Sequence, residues 1–124
     1  MGFNLPIKKK IPEDIHTFED ACAVKGVKPK DVLKDCKRPD QFAYEKLVII
    51  ASVLNEEWEP NFEDTNEYKY WPYFKIVPSF VFDYAAYDYV FTTVGVGARL
   101  SFKNSRFAEY AGRTFTEIYK DFLT

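Results

Sequence analysis

One stretch limits what this chain can fold into more than any other. From Asn66 to Lys103 it reads NEYKYWPYFKIVPSFVFDYAAYDYVFTTVGVGARLSFK. Aromatic residues make up 19% of the chain and crowd into this segment, where rings that large have to find cover. The residues alternate with a period of two, which reads as strand. Four strands fit: Tyr68 to Ile76, Phe80 to Ala85, Tyr87 to Thr93, and Ala98 to Lys103. In the first, Tyr68, Tyr70, Phe74 and Ile76 share one side, and Lys69, Trp71, Tyr73 and Lys75 the other. Pro72 has no N–H to give a ladder, so this strand is expected at an edge or with a bulge. Phe80, Phe82 and Tyr84 oppose Val81 and Asp83 in the second, and Tyr87, Tyr89 and Phe91 oppose Asp88, Val90 and Thr92 in the third. The fourth sets Ala98, Leu100 and Phe102 inward against Arg99, Ser101 and Lys103. Pro78-Ser79 and the Gly95/Gly97 pair supply turns. The Ala85-Ala86 pair reads either as a break between strands or as a bend within a single long one.

Helical periodicity flanks this stretch. Residues 1–13, with Pro6, Lys8 to Lys10 and Pro12, read as a flexible or extended lead-in, and residues 14–124 as a single domain. Thr17 opens a short helix, with Asp20 placed to complete a capping box and Gly26 to end it. A second short helix is expected from Pro29 to Cys36. A long helix is expected over Asp40 to Glu57, capped by Asp40, with Phe42, Leu47, Ile50, Val53 and Leu54 on its apolar stripe. The last helix, Arg106 to Phe122, follows a cap at Asn104 or Ser105 and buries Phe107, Ala111, Phe115, Ile118 and Phe122. These elements predict an α+β fold. An antiparallel aromatic-rich sheet of three to four strands carries two main helices packed on one face, with short N-terminal helices beside them.

Composition narrows the function classes. With 124 residues, 47% hydrophobic and 29% charged, one globular domain is expected. A formal net charge of −2 argues against a generally basic nucleic-acid coat. Cys22 and Cys36 match no metal spacing and read as reduced and structural. His16 stands without a Cys or carboxylate partner of catalytic spacing. The acidic run from Asn55 to Glu67 offers Glu63, Asp64 and Glu67 as oxygen ligands, but lacks the alternation, central Gly and distal Glu of a Ca²⁺ loop. It reads as a solvated connector pinned by Trp58 and Phe62. No cofactor, metal or catalytic constellation is indicated. Without an apolar run after the N-terminal charges or a membrane-length segment, no membrane association and a cytoplasmic location are expected.

Two runs carry a resemblance: LNEEWEP with NEYKYWPYF (Leu54 to Pro60, Asn66 to Phe74), and ARLSFKNSRFAEYAGRTFTEIYKDFL (Ala98 to Leu123). From Leu54 onward the chain resembles a group of short uncharacterised proteins of gut Bacteroidetes and their phages. Ala98 and Asn104 depart from that group's pattern, and the first forty residues match it poorly. The resemblance implies a mobile-element origin and carries over no site.

Three functions follow from these patterns. An interaction or assembly protein, pairing with itself or a protein partner through an open aromatic face, fits the Tyr/Trp enrichment and the charge. A single-stranded nucleic-acid module would use the face bearing Lys69, Trp71, Tyr73, Lys75, Arg99 and Lys103, where rings alternate with cations. A small enzyme would need a pocket lined by Tyr84, Tyr87 and Tyr89, or paired carboxylates such as Asp83, Asp88 and Glu109. Arg99 stands out as a cation in the outward series, to be either solvated or functional, the plainer alternative being a pair with Glu109 or an acidic loop residue.

Overall fold

A computed structural model of the chain describes residues 10–59, 61, 63–64, 67–76, 80–90 and 98–123, with backbone alone at 73, 75–76, 80–90 and 98. Chain order runs α1 (Phe18–Lys25), α2 (Pro29–Leu33), α3 (Pro39–Leu54), β1 (Lys69–Ile76), β2 (Phe80–Val90), a 3-10 turn (Ala98–Leu100), α4 (Ser105–Thr114) and α5 (Thr116–Leu123).

Helix α3 is the hub. It touches α1, α2, α4, α5 and the 3-10 turn. Leu47, Ile50, Ala51 and Leu54 recur at helical spacing and are fully buried or nearly so. Each of the larger ones contributes about 1.5–3 kcal/mol by leaving water. Its start differs from expectation: Pro39 occupies the first turn and Arg38, not Asp40, is the cap residue. Gln41 Oε1 accepts from Lys37 N at 2.7 Å and Arg38 N at 3.0 Å, closing the end that Asp40 was expected to close. Asp40 instead pairs with Arg38, Nε to Oδ1 3.1 Å.

Helix α1 follows its sequence closely. Thr17 Oγ1 accepts from Asp20 N at 3.0 Å, and Asp20 Oδ2 accepts from Thr17 N at 3.2 Å and from His16 N at 2.9 Å. Gly26, at φ 80°, takes the left-handed conformation that ends the helix. Helix α2 stops at Leu33 rather than Cys36. Before α1, Pro12 and Ile15 are fully buried, and Ile15 O accepts from the Tyr110 hydroxyl at 2.6 Å. Residues 10–15 thus form a packed turn against α4, with Glu13 ion-paired to Arg106. Lys8 and Lys9 lie outside the described residues.

The expected fold class is corrected here. Among the described residues the protein is mainly helical, with five α-helices; the strands form one two-stranded antiparallel ribbon, not a sheet of three to four strands under two helices. Two physical reasons account for it. First, the Ala85-Ala86 pair lies within one strand, so Phe80–Val90 runs without a break. Second, the Ala98 to Lys103 alternation is not honoured: Leu100, Ser101 and Phe102 are buried in succession, at 4%, 1% and 0% exposure. That segment makes a 3-10 turn and then a single bridge, Tyr70 N to Phe102 O 3.1 Å and Phe102 N to Tyr70 O 2.7 Å. The ribbon's register runs from Lys69↔Val90 to Pro72↔Tyr87, then jumps to Phe74↔Phe82. The irregularity sits beside Pro72, whose missing donor interrupts the ladder. The expected turns at Pro78-Ser79 and Gly95/Gly97 lie outside the described residues.

The C-terminal helix is broken as well. Phe115, at φ −113° and ψ 30°, separates α4 from α5. The Thr116 hydroxyl donates to Gly112 O at 2.6 Å, the back-bond that bends helices at Thr. The break turns α5 so that Tyr119 meets Phe74 of β1, ring centroids 5.2 Å apart, and Phe122 meets Tyr44 of α3 at 5.7 Å. Among the described residues no helix is long and apolar enough to cross a membrane. Cys22 is buried, Cys36 half-buried, and both are free thiols.

Candidate functional site

The end of α3 builds the most structured hollow on the surface. Asn55 is buried, at 3% exposure, and spends its whole amide on one neighbouring segment. Its Nδ2 donates to Ser101 O at 2.8 Å and its Oδ1 accepts from Lys103 N at 3.0 Å. This clamp sets the 3-10 turn, and Arg99 with it, opposite α3. The next two residues, Glu56 and Glu57, are both left-handed, at φ 54° and 67°, and neither is glycine. Such backbone costs about 1–2 kcal/mol per L-residue. It turns the chain back on α3, with Glu57 N donating to Ser52 O at 3.0 Å.

The result is a cleft of about 520 Å³, floored by Val48 and Ile49 and walled by Lys25, Ser52, Glu57, Trp58 and Arg99. That size suits a ligand or a short segment of another chain. In this lining Lys25 Nζ donates to Ser52 Oγ at 2.7 Å and to both Glu57 oxygens at 3.0 and 3.2 Å, while Ser52 Oγ donates to Glu57 Oε2 at 2.5 Å. The Ser52 hydroxyl, and then Lys25, hold the Glu57 carboxyl below its usual range. Arg99, also in the lining, is exposed and makes no ion pair among the described residues, so the alternative of a pair with Glu109 is not formed.

Of the six residues expected to form one binding face, the side chains of Lys69, Trp71, Arg99 and Lys103 are described, and each has different surroundings. Lys69 is fully buried, its ammonium held by Asp64 O at 3.1 Å, Glu67 O at 3.0 Å and Glu67 Oε1 at 3.4 Å. It gathers the acidic connector's oxygens from inside the protein. Trp71 is half-buried against the core. Lys103 is tied to Glu56, Nζ to Oε1 3.0 Å, and lies 5.3 Å from the Phe107 ring. Of these four, Arg99 alone lines the cleft. The side chains of Tyr73 and Lys75, and those of Asp83, Tyr84, Tyr87, Asp88 and Tyr89, lie outside the described residues, as does Phe62. Lys25, Ser52 and Glu57 were not singled out from the sequence. The one signal for them was the run Asn55-Glu56-Glu57-Trp58, a helix end without glycine.

Among the described residues no group of three His, Cys, Asp or Glu side chains is placed to hold a metal ion. No family model, curated protein or solved structure matches this chain.

Proposed function

We propose that this chain is a non-catalytic interaction module, with the cleft at Arg99 as its contact surface and a segment of a protein partner as its ligand. The observation that carries this reading is Arg99 itself, an exposed guanidinium with no ion pair among the described residues, in one hollow with Trp58, Val48 and Ile49. Arg and Trp are the side chains from which interfaces draw most of their energy. The cleft's charges balance, Lys25 and Arg99 against Glu57 and Glu59. A polyanion finds no net positive field there, whereas a segment with few carboxylates among apolar neighbours can pair with Arg99. Lys69 and Lys103, both needed for a nucleic-acid face, are engaged elsewhere.

The test is fluorescence anisotropy with three labelled probes: a decapeptide bearing a single Asp between two Phe residues, its Asp→Lys counterpart, and a deoxythymidine oligonucleotide. The Asp peptide is expected to bind, its Lys counterpart not, and Arg99→Ala to weaken the Asp peptide about tenfold, a loss of roughly 1.4 kcal/mol. Salt-sensitive binding of the oligonucleotide in preference to the peptide would replace this reading with the nucleic-acid one.

A further inference from the structure

Resting on that reading, we infer that Glu57 is an internal stand-in for a ligand carboxylate, and that the partner segment carries two acidic side chains. One pairs with Arg99; the second takes the place of Glu57 on Lys25 and Ser52. Three observations lead there. The contacts on Glu57, an ammonium at 3.0 and 3.2 Å and a hydroxyl at 2.5 Å, are those a bound carboxylate would make. Glu57 is nevertheless 65% exposed while Lys25 is only 28% exposed, so the donors belong to the protein wall and the acceptor sits on the open side. The backbone that delivers Glu57 is the left-handed Glu56–Glu57 pair, which L-residues rarely adopt. That backbone is tied to α3 by Glu57 N to Ser52 O at 3.0 Å, so the side-chain contacts alone are what a competing carboxylate exchanges.

The rest of the turn is fastened independently. Glu56 is held by Lys103, and Asn55 by its two hydrogen bonds to residues 101 and 103. Exchange at Lys25 therefore requires only the Glu57 side chain to move. The cleft then holds one cation already engaged, Lys25, and one open, Arg99. A ligand with one carboxylate uses Arg99, and a ligand with two competes for Lys25 as well.

The experiment compares the single-Asp peptide with one bearing a second Asp, on wild-type protein, Glu57→Gln, Glu57→Ala and Arg99→Ala. Removing the internal carboxylate is expected to tighten the two-Asp peptide roughly fivefold, the scale of a lost exposed ion pair, and to leave the single-Asp peptide unchanged. Arg99→Ala is expected to weaken both. If Arg99→Ala weakens both peptides but neither Glu57 variant tightens the second, the displacement is overturned and the interaction reading stands. Weaker binding in the Glu57 variants makes Glu57 a contact rather than a stand-in and also overturns it. No binding of either peptide to wild type or Glu57→Gln overturns both.

Discussion

Lys69 illustrates how a single residue can reverse its apparent role. In the sequence it alternates with Trp71 and Tyr73 and reads as an outward cation. In the structure its ammonium is inside the protein, and three oxygens of the acidic connector surround it. A buried ammonium is tolerated only with such oxygen partners. The partners come from Asp64 and Glu67, at no fixed spacing that a sequence pattern could carry. Lys69→Met removes the charge at similar length and takes the ammonium away from two carbonyls and from Glu67, whose Oε1 keeps its bond from Asn61 N. It is expected to destabilise the protein by about 3–5 kcal/mol, measured as a drop in the urea midpoint. A loss below about 1 kcal/mol would show that water replaces the ammonium without difficulty, and would sink this account of the connector.

At the level of elements, α3 was the most legible part of the chain and supplies a sharp test of phase. Ile50 is fully buried and its neighbour Ile49 only partly, on the side facing the cleft. Ile50→Ala should cost about 2–5 kcal/mol, and Ile49→Ala about 1 kcal/mol or less, in chemical denaturation. Equal costs would mean that the helix is rotated from the orientation described. The α1 cap and its Gly26 stop were legible because local chemistry decides them. What the sequence hid was decided by tertiary contact. Period two in Ala98 to Lys103 is a real pattern, yet Ser101 is buried because Asn55 needs its carbonyl. The final helix carries an unbroken apolar stripe, yet it bends at Phe115 so that Tyr119 reaches Phe74. Of the cleft, Arg99 was legible as a conspicuous cation. Lys25 and Ser52 were not, since 27 positions separate them and only the packing of α1 on α3 joins them.

Across the whole molecule these placements make stability depend on pH in opposite directions at its two ends. Glu57 and Asp40 are held below the usual carboxylate range, Glu57 first by Ser52 and Asp40 first by Arg38. Their stabilising contribution is present above the unfolded value of about 4 and is lost as the pH falls through the folded values. Both are largely exposed, so this acid limb is shallow. Tyr119 acts the other way, because burial pushes its phenol well above the usual value. Its contribution is complete below the unfolded value of about 10 and is lost as the pH rises beyond it. Since Tyr119 joins α5 to the ribbon through Phe74, ionising it forces a charge into the contact between the helical body and β1. The alkaline limb is therefore expected to be the steeper of the two. Urea midpoints followed from about pH 7 to about pH 11 should fall above about pH 10 in the wild type, and less steeply in Tyr119→Phe, which keeps the ring without the ionisable hydroxyl. Identical alkaline limbs in the two proteins would mean that other groups set the limit, and that the contact between α5 and the ribbon opens before the phenol ionises.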